Sequence, residues 1–314
     1  MRLKARITNP RPLHNLTSSL SPLSKSLVLK FTPTQLALIL KDASESSTQV
    51  WCTLPAASVL DDYVVESTLR NEIYLQCHLP TLARAVKSML HAHNATIKLT
   101  RSPTLGALLA ILVESETTSG RPLNISHNVP VIPLKRTQAA ELREPRVGVP
   151  AVYITMPKPL TMVKVVAERM KALGAVVSVK ANGPRGEVKV SVLGAHAEVE
   201  TTWGGLKEVR NVAVETTAGA STRQAGEGAD EWVEVSVGAR DFVKFLNCHV
   251  ANPAHVICAL IPGMCAVFYV YMYSTTTHNP FATNSTTSST VDEAAAGTRN
   301  DTLLTYYLPM RHSI

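Results

Sequence analysis

The sequence predicts an α+β protein of two domains, each assembled from repeated strand–helix units. One unit occurs twice, at an offset of 160 residues. Its strand alternates apolar and polar residues, from Ile73 to Cys77 in the first copy and from Val233 to Val237 in the second. Such alternation is typical of a strand with one buried face. After each strand the apolar period becomes helical, and basic residues lie off the apolar stripe.

A second unit repeats at an offset of 149 residues and opens each predicted domain. The first copy has a strand at Arg2–Ile7 and a helix over Pro10–Ser21. The second copy has the alternating set Val152, Ile154 and Met156, then a helical stripe of Met162, Val165, Val166 and Met170 that we expect to be buried. The proline-rich, charged residues 130–149 predict a connector between domain 1 (1–129) and domain 2 (150–314).

Alternation and turn residues predict the other elements in chain order. The strands are Ser26–Phe31, Gln35–Lys41, Val50–Leu54, Glu72–Cys77, Ala95–Arg101, Leu105–Glu114, Pro122–His127, Ala175–Lys180, Glu187–Leu193, Ala195–Thr202 and a closing strand Thr302–Leu308. The helices are Pro80–Leu90, Leu160–Ala172 and Ala239–Leu246. Residues 215–230 and 274–300 are rich in small polar residues, and we expect flexible loops there.

Composition indicates a globular chain with a moderate basic excess. The 314 residues are 45% hydrophobic and 18% charged, with a net charge of +7. No basic tail occurs, so this charge is compatible with phosphate contacts from a folded face and equally with an ordinary surface. The five cysteines form no C-x-x-C pair and favour reduced core thiols over disulfides.

One uncharged run, Val256–Tyr273, leaves two interpretations. Its 18 residues reach the lower limit for a membrane-spanning helix. However, Pro262-Gly263 is a turn signal in its middle, and Val, Ile, Phe and Tyr dominate both halves. We therefore expect two core strands joined at this turn, with a membrane-associated protein as the alternative.

No motif in the sequence predicts catalysis. The glycine-rich phosphate-binding loops and the G-x-S-x-G nucleophile turn are absent. His91 and His93 have no Cys, Asp or Glu at a spacing suited to a metal site. We therefore expect a protein that is not an enzyme and needs neither a cofactor nor a metal.

Basic residues recur on the exposed sides of three predicted helices. Residues spaced by three, four or seven positions share one side of a helix. The candidates for a surface that faces a negatively charged partner are Arg84, Lys87, Lys164, Arg169, Lys171, Arg240 and Lys244. For any single helix, an ordinary solvated face explains the same residues, and the first helix offers only Arg11 and His14.

Several segments, taken in order, resemble a known family. They are Met1–Ile7, Leu29–Pro33, Val50–Cys52, Asn71–Leu75, His127–Val131 and Leu142–Pro145. Together they resemble the Hus subunits of the nine-one-one DNA-damage checkpoint clamp. The ending Tyr306–Pro309 also resembles the end of the related sliding clamp, proliferating cell nuclear antigen. The resemblance implies a two-domain sliding-clamp fold, with two β-α-β-β-β-like repeats per domain, helices inside a ring and sheets outside.

The resemblance also implies subunit contacts and a partner pocket. Such rings close through edge strands, which here would be Pro122–His127 and Glu187–Leu193. The expected interface residues are Pro122, Asn124, Ser126, Glu187, Val188, Val190 and Val192. The expected pocket for client peptides is formed by Val131, Ile132, Leu134, Tyr307 and Pro309. These apolar residues could equally tack the connector onto the sheet.

The function implied by the resemblance is that of a non-catalytic clamp subunit. It would join two other subunits in a ring, be placed by a clamp loader around double-stranded DNA without sequence specificity, and recruit checkpoint and repair proteins. The implied location is the nucleus, with the cytoplasm as a second compartment and no membrane. The alternative is a protein-interaction scaffold of the same fold that does not bind DNA.

Overall fold

The computed structural model describes residues 1–41, 47–117, 120–195, 197–209, 231–272 and 302–311. The predicted loops at 215–230 and 274–300 lie outside these residues. Within them, strands and helices follow one another in nearly the order that the sequence predicts.

In the described part of the first half, nine strands and two helices precede the connector. The strands are β1 (Arg2–Ile7), β2 (Ser26–Phe31), β3 (Gln35–Leu40), β4 (Gln49–Pro55), β5 (Leu60–Glu66), β6 (Ile73–His78), β7 (Asn94–Ser102), β8 (Gly106–Glu116) and β9 (Pro122–Pro133). The helices are α1 (Pro10–Leu20) and α2 (Leu79–Ser88), and the connector contains α3 (Arg136–Glu141).

The second half contains eight strands and two further helices in its described part. The strands are β10 (Val152–Thr155), β11 (Val176–Asn182), β12 (Glu187–Leu193), β13 (Glu198–Trp203), β14 (Val233–Gly238), β15 (Pro253–Ile261), β16 (Cys265–Met272) and β17 (Leu303–Pro309). The helices are α4 (Leu160–Leu173) and α5 (Ala239–Leu246).

Two sheets hold these strands. Thirteen form a continuous sheet in the order β10-β15-β16-β17-β4-β3-β2-β6-β9-β8-β7-β1-β5, and four form a second sheet in the order β13-β12-β11-β14. The two halves of the chain meet where β17 pairs with β4, antiparallel, from Leu303 opposite Thr53 to Tyr307 opposite Gln49.

The strand pairings of the two halves are equivalent. In the first half β1 pairs with β5 and β7, and in the second β10 pairs with β15 and bridges to the segment at Glu208. The order β4-β3-β2-β6 corresponds to β13-β12-β11-β14, and β7-β8-β9 corresponds to β15-β16-β17. The internal repeat is thus a repeat of topology, which confirms the strand–helix units found in the sequence.

The structure differs from the sequence prediction at the end of the first domain. Strand β9 does not stop at His127 but continues to Pro133, and its last residues pair with β6. Val131 and Ile132 are therefore part of a sheet, although the sequence placed them in the connector. The connector also contains α3, which six residues without a buried face could not reveal by periodicity.

The predicted register of α4 is partly wrong. Met162 and Val165 are exposed, by 61% and 46%, while the buried residues are Leu160, Val163, Ala167 and Met170. This helix is apolar on more than one side, so its sequence allows two stripes. Packing against β11, β12 and α5 selects the one that faces the core.

The core lies between the sheets and the helices, and its thiols are reduced. All five cysteines are buried and free, as predicted. Burial raises the pKa of the Cys77 and Cys248 thiols to about 12, so both stay protonated. Phe245 stacks on Phe268 with ring centroids 4.1 Å apart and meets Tyr306 edge-on at 5.2 Å.

The uncharged run at 256–273 is a hairpin through residue 272. Its strands β15 and β16 pair from His255 opposite Tyr271 to Ile261 opposite Cys265. Gly263 has a φ of 73° in the turn, a left-handed conformation that glycine adopts without strain. The hairpin prediction is confirmed, and no helix in the described part of the chain is long and apolar enough to cross a membrane.

Candidate nucleic-acid interface

The helices of both halves form one neighbouring layer. Helix α1 packs against α2, α4 packs against α5, and α1 also contacts the 3-10 turn Asn247–Ala251 that follows α5. Each helix buries one apolar side against the sheets, so its opposite side is presented to the surroundings. The candidate cations can therefore be assessed helix by helix.

Helix α2 exposes two of the predicted cations. Leu82, Ala85 and Val86 are buried, while Arg84 and Lys87 are exposed on the opposite side. Neither cation takes part in an ion pair among the described residues. Their charges are thus available to an external anion.

Helix α5 occupies the equivalent position in the second half. Its Lys244 corresponds to Arg84 at the offset of 160 residues. Arg240 is exposed and Lys244 is half-buried, and both line a depression of about 490 Å³ with Lys171, from the C-terminal end of α4. Asp241 also lines this depression and offsets part of its positive charge. The fold thus brings three of the predicted residues together.

Helix α4 presents the remaining candidates unequally. Arg169 is exposed. Lys164 is half-buried, and its ammonium lies 3.8 Å from the carboxylate of Glu168. An i, i+4 ion pair of this kind neutralises part of the lysine charge. Lys164 is therefore a weaker candidate than Arg169 for binding an anion.

The expectation of a free edge at Glu187–Leu193 is wrong. This segment is β12, and it pairs with β11 on one side and with β13 on the other. Val188, Val190 and Val192 are buried beneath α4. The alternation of valine with polar residues indicates a strand with one buried face, but it cannot distinguish an inner strand from an edge.

The described edge of this sheet is β13, Glu198–Trp203, which pairs only with β12. The other predicted edge strand, β9, is open along residues 122–130. These residues pair with β8 on one side only, and the strand pairs with β6 only from Val131 onward. Pro122, Asn124 and Ser126 are exposed there. Among the described residues, β13 in the second half and residues 122–130 of β9 in the first half therefore each have one open edge, in addition to the terminal strand β5 of the large sheet.

These two edges are the counterparts of strands that are joined within the chain. Strand β13 corresponds to β4, and β9 corresponds to β17. Strands β4 and β17 pair with each other and make the large sheet continuous. An equivalent join between β13 and β9 is absent among the described residues.

Comparison with known proteins identifies the family. A family model described as "Hus1-like protein" matches residues 1–311. The chain belongs to the Hus1-like family. It is 28% identical over 87% of its length to the Schizosaccharomyces pombe "Checkpoint protein hus1", covering 93% of that protein. It is 27% identical over 83% of its length to the Homo sapiens "Checkpoint protein HUS1", covering 91% of that protein.

A solved structure shares the fold of this Hus1-like chain. The proliferating cellular nuclear antigen from Entamoeba histolytica aligns with a TM-score of 0.66 at 12% identity, covering 99% of both chains. At this identity the likeness concerns the fold alone. The sliding-clamp fold predicted from the sequence is confirmed.

The predicted partner pocket is not a single site. Ile132 on β9 and Tyr307 on β17 are separated by β6, β2, β3 and β4, or about 24 Å at 4.8 Å per strand. Val131 is buried in the core, whereas Ile132 is 64% exposed. The residues named for the pocket therefore lie in two separate places, because β9 extends further than its sequence indicates.

A different part of the connector meets Tyr307. The Tyr307 hydroxyl donates a hydrogen bond to Glu144 Oε1 at 2.8 Å, and Val147 packs on the same surface. Burial, followed by the Glu144 charge, raises the pKa of this tyrosine. An apolar cluster that includes Ile257, Ile261 and Tyr269 lies around it. Sequence reasoning missed Glu144 and Val147, and no periodic signal marks them.

The described residues contain no cluster of three His, Cys, Asp or Glu side chains that could hold a metal ion. His93 instead lies 3.8 Å from the carboxylate of Glu116 on β8. The candidate functional features of this Hus1-like chain are therefore its cationic helices, its two open strand edges and the apolar surface under the connector.

Proposed function

We propose that this chain is a non-catalytic subunit of a heterotrimeric checkpoint clamp that encircles double-stranded DNA. Two further clamp subunits would complete the ring, a clamp loader would place it, and client proteins would dock on its outer surface. We propose the nucleus as its location and 1–129 and 150–314 as its two domains. The observation that carries the proposal is the join of β4 to β17, whose counterparts β13 and β9 are open.

The geometry of that join supports closure into a ring. An open strand edge offers a row of unpaired backbone donors and acceptors, which another strand can satisfy. Pairing β13 of one subunit with the β9 counterpart of the next repeats between chains the contact that β4 and β17 make within one. Because the two edges differ from each other, the contact is head-to-tail, and such contacts generate rings when the rotation closes.

Apolar side chains beside β13 support the same contact. Leu173 at the end of α4 is 45% exposed and lies against Gly194 in the β12–β13 turn, and Leu193 at the end of β12 is 75% exposed. Exposed leucines next to an open edge are typical of an interface that a partner covers. Asp substitutions at Leu173 and Leu193 should abolish co-purification with the partner subunits and leave the monomer folded.

A matched control tests whether that loss is specific. Leu105→Asp changes a 63% exposed leucine in the turn before β8, away from β13. It should leave the yield of the complex unchanged. Normal assembly of the doubly substituted chain, with its fold verified by circular dichroism, would exclude β13 and its surroundings as the ring contact.

DNA association is tested on the complex purified with its partners. Cations that face DNA neutralise phosphates, so log K falls with log salt by about 0.9 per phosphate contact. Replacing Arg84 and Lys87 by Gln should flatten this slope by the equivalent of up to two phosphate contacts. Gln at Lys4 and Lys98, an equally exposed pair on the outer sheet face, should leave the slope unchanged. A complex that assembles but shows no salt-dependent binding to DNA supports the scaffold alternative.

The surface around Tyr307 supports a second proposed activity, the docking of client peptides. Trp51 Nε1 and Gln49 Oε1 are buried near it on β4 and have no hydrogen-bond partner among the described residues. Buried polar groups without partners are costly, and an incoming peptide backbone could satisfy both. Val147→Asp, Tyr307→Ala and Ile132→Ala should be compared for client capture. Only the first two should weaken it, since Ile132 lies five strands away.

A further inference from the structure

The repeated topology aligns the open strand β13 with β4, residue by residue. One row of directly opposite residues crosses β6, β2, β3 and β4, and an equivalent row crosses β14, β11, β12 and β13. The rows are Ile73–Phe31–Leu36–Leu54 and Val233–Ala181–Val188–Trp203. Because Ile73 and Val233 are repeat positions at the offset of 160 residues, Leu54 corresponds to Trp203.

A second pair of rows aligns the open strand β9 with β17. One row runs from β1 across β7 and β8 to β9, and the other from β10 across β15 and β16 to β17. The rows are Lys4–Lys98–Ala110–Asn128 and Tyr153–Ala259–Val267–Tyr307. Lys4 and Tyr153 are repeat positions at the offset of 149 residues, so Asn128 corresponds to Tyr307.

The pairing of β17 with β4 then supplies a register for a contact between two chains. Tyr307 lies opposite Gln49 within the chain, and Gln49 corresponds to Glu198 of β13. The same register therefore places Asn128 of one chain opposite Glu198 of the next. The five pairs that follow from it are Asn128–Glu198, His127–Val199, Ser126–Glu200, Ile125–Thr201 and Asn124–Thr202.

These pairs match even when both strands have this chain's own sequence. On the outer face exposed residues lie opposite exposed residues, and on the inner face half-buried residues lie opposite half-buried ones. Asn128 and Ser126 can donate hydrogen bonds to the carboxylates of Glu198 and Glu200. Glu200 also lies 3.1 Å from the Lys189 ammonium, and a carboxylate can accept from both partners. The five pairs place no like charges opposite each other, an arrangement that would destabilise a sheet.

His127 is the residue that burial between two chains would penalise most. It corresponds to Tyr306, which is 0% exposed in the join within the chain. The Ser88 hydroxyl donates to the Ala85 carbonyl at 2.7 Å and lies 2.8 Å from His127 Nε2. The serine oxygen therefore accepts the Nε2–H of His127. Burial opposite Val199 leaves this N–H paired within its own chain.

We propose that, in the absence of other clamp subunits, this chain pairs β9 with β13 of a second copy in this register, and that three copies close a ring. The inference rests on the proposed ring contact at the same two edges and assigns a second copy as their occupant. Because the contact is head-to-tail, each copy keeps a free edge until the ring closes. Self-assembly and the heterotrimer use the same edges and therefore exclude each other.

The first test measures the mass of the chain purified alone, by light scattering. At about 100 µM, a concentration that populates contacts with a micromolar Kd, we expect three times the single-chain mass of 33.9 kDa. Ser126→Glu places a carboxylate opposite Glu200 and should return the mass to that of one chain. Ser126→Lys changes the same exposed position to a cation and should retain the oligomer.

The second test measures the register by disulfide formation between two separately tagged copies. Glu200→Cys on one copy and Ser126→Cys on the other should crosslink, because opposite residues have Cα atoms about 4.5 or 5.5 Å apart and disulfides span about 4.4–6.8 Å. Glu200→Cys with Ile125→Cys is the matched control, since Ile125 is one residue out of register and faces inward. The five native cysteines are buried and should not compete.

The results separate this inference from the proposed function. A mass of 33.9 kDa at that concentration overturns self-assembly, while normal co-purification with the other subunits would leave the heterotrimer standing. Equal crosslinking of both cysteine combinations also overturns the inference, because the copies would then meet in another register. A threefold mass with crosslinking of the Glu200 and Ser126 combination alone supports it. If that oligomer forms but no complex with other subunits does, the inference stands and the heterotrimer is overturned.

Discussion

Equivalent pairs of strands have different outer surfaces in the two halves of the molecule. In the first half, Lys4 of β1 lies opposite Lys98 of β7, and both are exposed. In the second half, the equivalent strands place Tyr153 opposite Ala259, which is fully buried. One end of the large sheet has an outer face exposed to water, while the other end is covered on both faces. Equivalent topology therefore does not impose equivalent surfaces.

Burial of the outer face in the second half explains the uncharged run Val256–Tyr273 in the sequence. Strands buried on one face alternate apolar and polar residues, as β1 does, whereas strands buried on both faces read as continuous apolar runs. In β15 and β16 the inner residues join the main core and the outer residues join the cluster around Tyr307. The run that resembles a membrane span thus indicates a sheet covered on its outside, in part by the connector.

The largest expected effect is the loss of stability when a buried residue on the inner face of the sheet is shortened. This loss should be large in both halves, although their outer faces differ. Phe268 on β16 and Ile111 on β8 hold equivalent positions, and both are 0% exposed. Phe268→Ala should lower the free energy of unfolding by about 3–5 kcal/mol and Ile111→Ala by about 2–5 kcal/mol, through lost burial and a cavity. Urea unfolding measures both. A cost below about 1 kcal/mol at either position would break the equivalence.

The next largest effect is a difference in stability cost between the buried outer face of the second half and the exposed outer face of the first. Ile257 on the outer face of β15 is buried. Ile257→Ala should cost about 2–4 kcal/mol, because it removes apolar contacts under the cover. Lys98→Ala on the exposed outer face of β7 should stay within about 0.5 kcal/mol of zero. Equal costs in urea unfolding would mean that the second outer face is not covered in solution.

A smaller effect tests the connector as part of that cover. Tyr307→Phe removes the hydroxyl that donates to Glu144, and the loss of one hydrogen bond should cost about 1 kcal/mol. Cys265 lies in the cluster beside Tyr307. Alkylation of the Cys265 thiol should therefore accelerate, as followed by mass spectrometry. Cys52 and Cys258, buried in the main core, serve as internal controls and should not react faster. Unchanged Cys265 labelling would mean that this hydrogen bond does not hold the connector down.

The smallest effect concerns the charged outer edge of the first half. Arg6 of β1 bonds Asp61 of β5, and this contact, followed by a backbone N–H bond from Asp62, lowers the pKa of the Asp61 carboxyl. A carboxyl with a lowered pKa stabilises the fold above about pH 4 and loses that contribution as the pH falls through its folded value. Arg6→Gln should therefore be slightly less stable than the parent at pH 7. The difference should disappear on acidification, as measured by urea unfolding at each pH. A difference that grows toward low pH would contradict this sign.

Much of the fold was accessible from local patterns. Alternation predicted β1, β2 and β6 closely, and the turn at Pro262-Gly263 divided the hairpin correctly. These predictions are correct because a half-buried strand and a tight turn each depend on residues that are adjacent in the chain. The sliding-clamp fold itself came from the resemblance of ordered segments, and the shared topology of the two halves supports it.

The candidate site was only partly accessible. Arg84, Lys87 and Arg240 are exposed as predicted, because the helical period defines the side opposite the core. The i, i+4 spacing of Lys164 and Glu168 allows their ion pair, but the period could not foresee which of two apolar stripes of α4 would be buried. The depression shared by Lys171, Arg240 and Lys244 could not be located from the period, since α4 and α5 lie far apart in the chain.

The sequence by itself determined where strands and helices form, that they repeat, and that thiols are reduced and buried. Those properties depend on neighbouring residues and on composition. Only the tertiary structure decided that β12 is an inner strand and β13 an edge, because strand order depends on pairings between distant segments. It likewise decided that Tyr307 meets Glu144 rather than Ile132, since the place of the connector depends on which apolar face needs a cover.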